Sequence, residues 1–459
     1  MSAGSCSPGL CDKLFDLNDK LEPVPQLALS YAWASPVELV IKLRPGVLFQ
    51  DGERLDAEAV KYSLNRHLTM AGSFRRSEIN AMDHVEVVDP LTVKIVLKQP
   101  SAPFVSQLTD RAGMIVSPKA AEAAGKDFGL KPVCAGPFRF VERVPQDHIT
   151  LERFPQYWDK DAIKLDRVVY QPIPDSSVRL ANLQAGSIEI SEQIVPTDVA
   201  AVKKDRRLRI AESKGLGYQG ITFNLNNGPR AKSVIGQDAR VRRAFELAID
   251  RTALLQVVYN GLYAATAQAI PDGSPYYIDA MKPPERDVAK ARALLKEAGV
   301  ALPVVVNLTV ANSPDLRQVG EIVQSMAQEA GFDVRLTATE FASGLAAATR
   351  GEFEAFLVGW SGRSDPDGNL FSFLHSGGAL NDSKYANAEV DALLEETRAV
   401  AEPGRRKALY AEIMQQAAQD LPILYIWQLE NVVGLSAKVT GFVPMSDGMI
   451  RLQGVSLAK

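Results

Sequence analysis

The sequence predicts a mixed α/β fold, and three observations predict it. Residues up to about 155 read as short strands and turns with two helices; from Arg167 onward, apolar-polar strands alternate with helices; and beyond Asp238 the helices lengthen. Such alternation places helices on the faces of a sheet. The shift in rhythm along the chain supports a body of two lobes.

The elements follow in order. Glu38 to Leu43 alternates as a strand, Pro45-Gly46 and Asp51-Gly52 are turn pairs, and Asp56 can cap a helix with the stripe Val60, Leu64 and Leu68. His84 to Val88 and Leu91 to Leu97 pair as strands across Asp89-Pro90. Arg167 to Gln171 is a strand, Ser176 to Ala185 a helix, and Ile188 to Ile190 a strand again, a βαβ rhythm. Val241, Ala244, Phe245, Ala248 and Ile249 form one helical stripe, ended by Asn260-Gly261. Then come a strand (Val304 to Val310), a helix (Asp315 to Ala330, stopped by Gly331) and two strands (Asp333 to Ala338, Glu354 to Trp360). Gly220 to Asn226 and Pro422 to Gln428 are apolar strands that look like crossings between lobes.

Composition narrows the function classes. With 459 residues, and about 150 residues per domain as a rough guide, two or three domains are expected. The hydrophobic fraction of 46% and charged fraction of 23% are those of a globular chain with large cores. A net charge of -4, with Lys and Arg scattered among Asp and Glu, leaves no basic field for nucleic acid. No apolar run approaches the ~18 residues of a spanning helix. Cys6, Cys11 and Cys134 allow one disulfide and one free thiol, or none, and Cys6 and Cys11 are near enough in sequence to bridge.

Motif-like strings carry little chemistry. Gly215 to Gly220 reads GLGYQG, but a phosphate-cradling loop needs a helix immediately after it, and ITFNL is a strand. His67, His84, His148 and His375 are far apart and have no spaced partners. Catalytic residues, cofactor and metal are therefore all expected to be none. Asp365 and Asp367 could act as paired carboxylates, yet in the loop after a strand, followed by Gly368-Asn369, they suit ligand or water contact or the capping of the next helix better.

Four segments in fixed order carry a resemblance: LRPGVLFQDGERLDAEAVKYSLNR (43 to 66), AGPFRF (135 to 140), RRAFELAIDR (242 to 251) and GWSGRSDPDGN (359 to 369). Together they resemble the family 5 solute-binding proteins, the dipeptide, oligopeptide and glutathione-type periplasmic receptors of bacterial ABC importers, from about Leu14 to the C-terminus. The resemblance implies a periplasmic-binding-protein-like two-lobed α/β fold with mixed sheets, a hinge and an additional inserted subdomain. Its expected division is a discontinuous lobe (1-17, 156-235 and 428-459), an inserted subdomain (18-155) and a second lobe (236-427). It further implies a monomeric, non-enzymatic periplasmic receptor that captures a peptide or peptide-like solute and passes it to a membrane permease. Family members normally carry a signal, a first strand and a ligand-facing loop before the segment that Asp12-Lys13-Leu14-Phe15 resembles. MSAGSCSPGLCDKLFD has no such signal, so either a cut form or an internally retained protein is expected.

Peptide-binding relatives place an acid for the ligand's ammonium in the loop after Gly-Trp, because an unpaired charge in a dry cleft is costly. Here Arg363 stands in that place, and a shift of two residues brings Asp365 there instead. A guanidinium would favour a ligand carboxylate, as in glutathione or an opine-like conjugate. Trp360, Tyr218 and Tyr385 are the aromatic candidates for the cleft, and Asn224 completes the expected ligand-binding set with Arg363, Asp365 and Asp367. A nickel chelate, marked by a histidine near the cleft, and a cytoplasmic ligand sensor reusing the domain are the alternatives.

Overall fold

The computed structural model describes residues 8–73 and 75–458; Cys6 lies outside them. Its centre is a six-stranded mixed sheet. In spatial order the strands are Ile190–Ser191, Ile423–Ser436, Leu208–Phe223, Ala355–Trp360, Val304–Ala311 and Phe332–Thr339. The two long strands, Leu208–Phe223 and Ile423–Ser436, pair antiparallel along their length, from Leu208 opposite Ser436 to Thr222 opposite Ile423. The two expected crossing strands are thus neighbours.

At one end of these strands the chain builds one core. Ile221, Phe223, Leu424, Ile426 and Trp427 pack with Phe245, Leu295, Val306, Val323 and Phe332. Helix Pro314–Ala330, ended at Gly331 in the left-handed conformation, joins the parallel strands Val304–Ala311 and Phe332–Thr339. That is a true βαβ unit. At the other end Ala211, Val433 and Leu435 enter a different core with Leu10, Phe138, Leu151 and Tyr157.

A four-stranded antiparallel sheet (Ala28–Ser35, Glu38–Leu43, Thr92–Leu97, Met82–Asp89) carries helix Ala57–Thr69. Asp56 caps this helix as expected, accepting a hydrogen bond from the Ala59 amide, and Val60 and Leu64 are buried beneath it. Phe138–Val144, His148–Arg153 and Arg167–Tyr170 form a three-stranded sheet. A disulfide joins Cys11 to Cys134, tying the start of the described chain to the end of the segment it encloses.

Two expectations are corrected. Arg167–Tyr170 pairs with His148–Arg153, whereas Ile190–Ser191 pairs with Gly434 and Leu435, so the strands flanking helix Ser176–Ala185 belong to different sheets. The stripe beginning at Val241 is two helices, Ala239–Ala248 and Arg251–Tyr259. Ile249 turns extended and the Asp250 carboxylate accepts from the Ala253 amide, starting the second helix afresh.

Candidate ligand site

A cavity of about 330 Å³ lies where the two long strands pass from one core to the other. Between the pairs Lys214/Glu430 and Tyr218/Gln428 the register slips, so that Gly215, Leu216 and Gly217 face Leu429 alone. The bulge is forced by close backbone approach: a Cβ on Gly217 would meet the Trp360 carbonyl oxygen at 1.8 Å. Opposite it Gly362 has φ +87°, which favours glycine, and bridges to Leu216. These glycines let the loop after Trp360 lie directly on the bulge. The GLGYQG string is therefore strand and close contact, with no phosphate loop.

Leu10, Ile149, Leu151, Leu429, Val432, Val433 and Met449 give the cavity an apolar wall. Its polar lining comprises Arg111, Glu192, Gln193, Ser361, Asn431 and Asp447. Two of these are committed elsewhere: Asn431 donates to the Met445 and Ser446 carbonyls, and Asp447 accepts from Arg451 at 2.7 and 2.9 Å. Burial pushes the Glu192 carboxyl up, with Arg179 opposing. Among the described residues Arg111 is the single cation on the lining; its side chain is 36% exposed and pairs with the adjacent Asp110 at 3.1 Å. A half-exposed guanidinium above apolar walls suits a ligand with a carboxylate and an apolar body.

None of the seven sequence candidates lines this cavity, although Ser361 lies between two of them. Arg363 is buried just behind the wall. Its Nη2 donates to Glu78 Oε1 at 2.8 Å, its Nε lies 3.2 Å from Asp110 Oδ2, and its guanidinium stacks over Trp360 at 4.5 Å. The Arg363 amide and Trp360 Nε1 both donate to Asn369 Oδ1. Asp365 is held by Arg406 at 2.8 Å on both oxygens and by the Tyr410 hydroxyl, and Asp367 by Arg398 at 2.6 and 2.9 Å. Asp365 also caps, accepting from the Asp367 amide.

Tyr218 is buried edge-on against Tyr425, at 4.7 Å, and against Phe373. The Tyr385 hydroxyl donates to Asp420, and Asn224 Nδ2 donates to the Asn227 and Phe353 carbonyls. These three secure the fold away from the cavity lining. A second cavity, of about 150 Å³, lies between helix Pro403–Asp420 and strand Ile423–Ser436 and shares no lining residue with the first. Among the described residues no histidine lines either cavity, and no group of three or more His, Cys, Asp or Glu is placed to hold a metal. Among the described residues no helix is long and apolar enough to cross a membrane.

Comparison with known proteins agrees with this architecture. The chain is 30% identical to the glutathione-binding protein GsiB of Pectobacterium atrosepticum over 460 residues, covering 97% of this chain and 88% of that protein. Its fold is similar to that of the periplasmic binding protein DppA from Helicobacter pylori in complex with the peptide STSA, with a TM-score of 0.90, 25% identity, and coverage of 98% and 93%. It is likewise similar to AgaA of Agrobacterium tumefaciens R10 in complex with agropinic acid, with a TM-score of 0.89, 26% identity, and coverage of 98% and 93%. Residues 22–381 match the family described as bacterial extracellular solute-binding proteins, family 5 Middle, and the chain belongs to that family.

Proposed function

We propose that this chain is the receptor of an ABC importer. It takes a small peptide or peptide-like solute bearing a carboxylate into the cavity beside Arg111 and delivers it, chemically unchanged, to a membrane permease. The observation that carries the reading is the cavity itself: apolar walls, one half-exposed guanidinium, and a bulge in strand Leu208–Phe223 where the two long strands pass between the cores. Two separate cores flank that point, which supports the division into a discontinuous lobe (1-17, 156-235, 428-459), an inserted subdomain (18-155) and a second lobe (236-427). Motion about the bulge would close the lobes on the solute.

The relatives support the ligand class, since glutathione, a tetrapeptide and an organic acid all offer a carboxylate to a guanidinium. The buried disulfide fits an oxidising compartment such as the periplasm, and the chain is read as working there as a monomer. A nickel chelate has no histidine on either cavity to favour it.

Native mass spectrometry of the purified protein, followed by titration calorimetry with glutathione and a panel of di- to tetrapeptides, tests the proposal. Arg111→Ala is expected to weaken the binding of a carboxylate ligand about tenfold, and less so for its amide. Equal affinity of the variant and the parent for both forms would remove Arg111 from the site.

A further inference from the structure

Arg363 sits in surroundings that a receptor would build for a bound cation. Its guanidinium lies over an indole face, between two carboxylates contributed by a different part of the chain, and is 5% exposed; Glu78 also holds Arg75 at 2.7 Å, and Asp110 also holds Arg111 at 3.1 Å. Glu78 and Asp110 belong to the segment packed on the four-stranded sheet, and Arg363 to the loop after strand Ala355–Trp360. Other hydrogen bonds cross the same seam: Gln107 donates to Asp367 at 3.2 Å, Arg398 donates to Asn80 at 3.2 Å, and the Ala102 amide donates to the Arg398 carbonyl at 2.8 Å. Polar pairing there is incomplete. Glu78 Oε2, Gln107 Oε1 and Arg363 Nε are buried without a hydrogen-bond partner, whereas permanently buried interfaces satisfy nearly all such atoms.

We propose that Arg363 is a specificity-determining residue that supplies the chain's own cation to the Glu78–Asp110–Trp360 cage, so the receptor does not read a ligand ammonium there and binds solutes irrespective of a free amino group. The inference rests on the receptor reading, because Asp110 adjoins the cavity-lining Arg111, and Ser361 on the lining lies two residues before Arg363. Geometry favours an internal cation over a carboxylate reader. For Arg363 to turn toward a ligand carboxylate, it would have to leave Glu78 and Asp110 buried without it. With Arg75 still on Glu78 and Arg111 on Asp110, what a free ammonium or guanidinium would find in the absence of Arg363 is the Trp360 face and the unpartnered Glu78 Oε2.

The test has two arms. In the first, Arg363→Ala is expected to bind methylguanidinium, the arginine head group, at least about tenfold more tightly than the parent by calorimetry, an advantage lost when Glu78→Gln and Asp110→Asn are added. The second arm needs no variant: a peptide and its N-acetylated form should bind the parent within about threefold of one another. Where Arg363→Ala is not folded by circular dichroism, Arg363→Ser serves in its place, and the parent comparison stands regardless. A parent that loses tenfold or more on acetylation, or a folded variant with no gain for methylguanidinium, overturns the proposal and leaves the receptor reading intact. Methylguanidinium bound by the variant, with no peptide bound by either form, upholds the cation cage and removes the peptide reading.

Discussion

At the scale of single residues, titration in the fold divides by burial. Asp12 is buried under Tyr157 and Trp158, which donate to its Oδ2 at 2.9 and 2.7 Å. Burial raises its carboxyl from 3.8 to about 7 against those two hydrogen bonds. An acid whose folded pKa lies above its unfolded one keeps its proton longer in the fold, so its contribution is full below about pH 4 and is lost as pH rises to 7, by at most about 1.4 kcal/mol per pH unit. Burial depresses His67 to about 4, against its hydrogen bond to the Met114 backbone, and a depressed histidine acts in the opposite sense, adding stability as pH rises from about 4 to 6.5. Asp12→Asn should therefore make the urea-midpoint profile between pH 4 and 6.5 rise more, or fall less, than the parent's. A profile that keeps the parent's shape would mean that Asp12 is ionised in the fold.

The same scale shows what could not be read from the chain. Asp56 as a cap and Gly331 as a stop are local signals, and both are where the sequence put them. The partners of Asp365 and Asp367 are Arg406 and Arg398, more than thirty residues later on other helices, and no spacing rule announces them. Arg111 stands in no motif and is one of 51 Lys and Arg residues, so its place on the cavity came only with the fold.

At the scale of elements, hydrophobic periodicity located the strands Glu38–Leu43, Val304–Ala311 and Ala355–Trp360 and the helix Pro314–Ala330, while the helices Ala388–Ala399 and Pro403–Asp420 went unplaced. It misplaced connections: the break at Asp250 interrupts a continuous apolar stripe, and the two strands around Ser176–Ala185 part into separate sheets because their partners, His148–Arg153 and Ile423–Ser436, are distant in sequence. The bulge at Gly215 to Gly217 was legible as glycine but not as geometry. Because a methyl group on Gly217 cannot coexist with the Trp360 carbonyl, Gly217→Ala must move one strand, at a cost on the order of 1–3 kcal/mol. Urea denaturation should show that loss, and ligand affinity should fall with it, since Gly215 and Leu429 line the cavity. Parental stability in the variant would mean that the strands slide freely there.

At the scale of the whole molecule, the resemblance in four short segments extended to the fold, because those segments are turns, caps and buried faces that few architectures can share. Closure follows from the proposed lobes. Small-angle scattering with a saturating ligand should show a smaller radius of gyration than without it. An unchanged radius, with binding confirmed by calorimetry, would count against a moving hinge.

The pairing of the two long strands has one more consequence. Tyr218 lies opposite Gln428, and every residue of the Ile221–Trp427 core that these strands supply falls between those two positions. Everything from 218 to 428 thus leaves and re-enters the rest of the molecule through a single rung of a ladder, like an insertion with touching ends. Expressed alone, the 218–428 fragment should fold into a cooperative unit with its own amide-exchange-protected centre, and a broad, non-cooperative melt would show that it needs the remainder as a template. A receptor assembled this way can trade that segment as a cassette, with the join made at two facing residues and the buried pairs of Arg363, Asp367 and Arg398 with Glu78, Asp110, Gln107 and Asn80 kept on both sides.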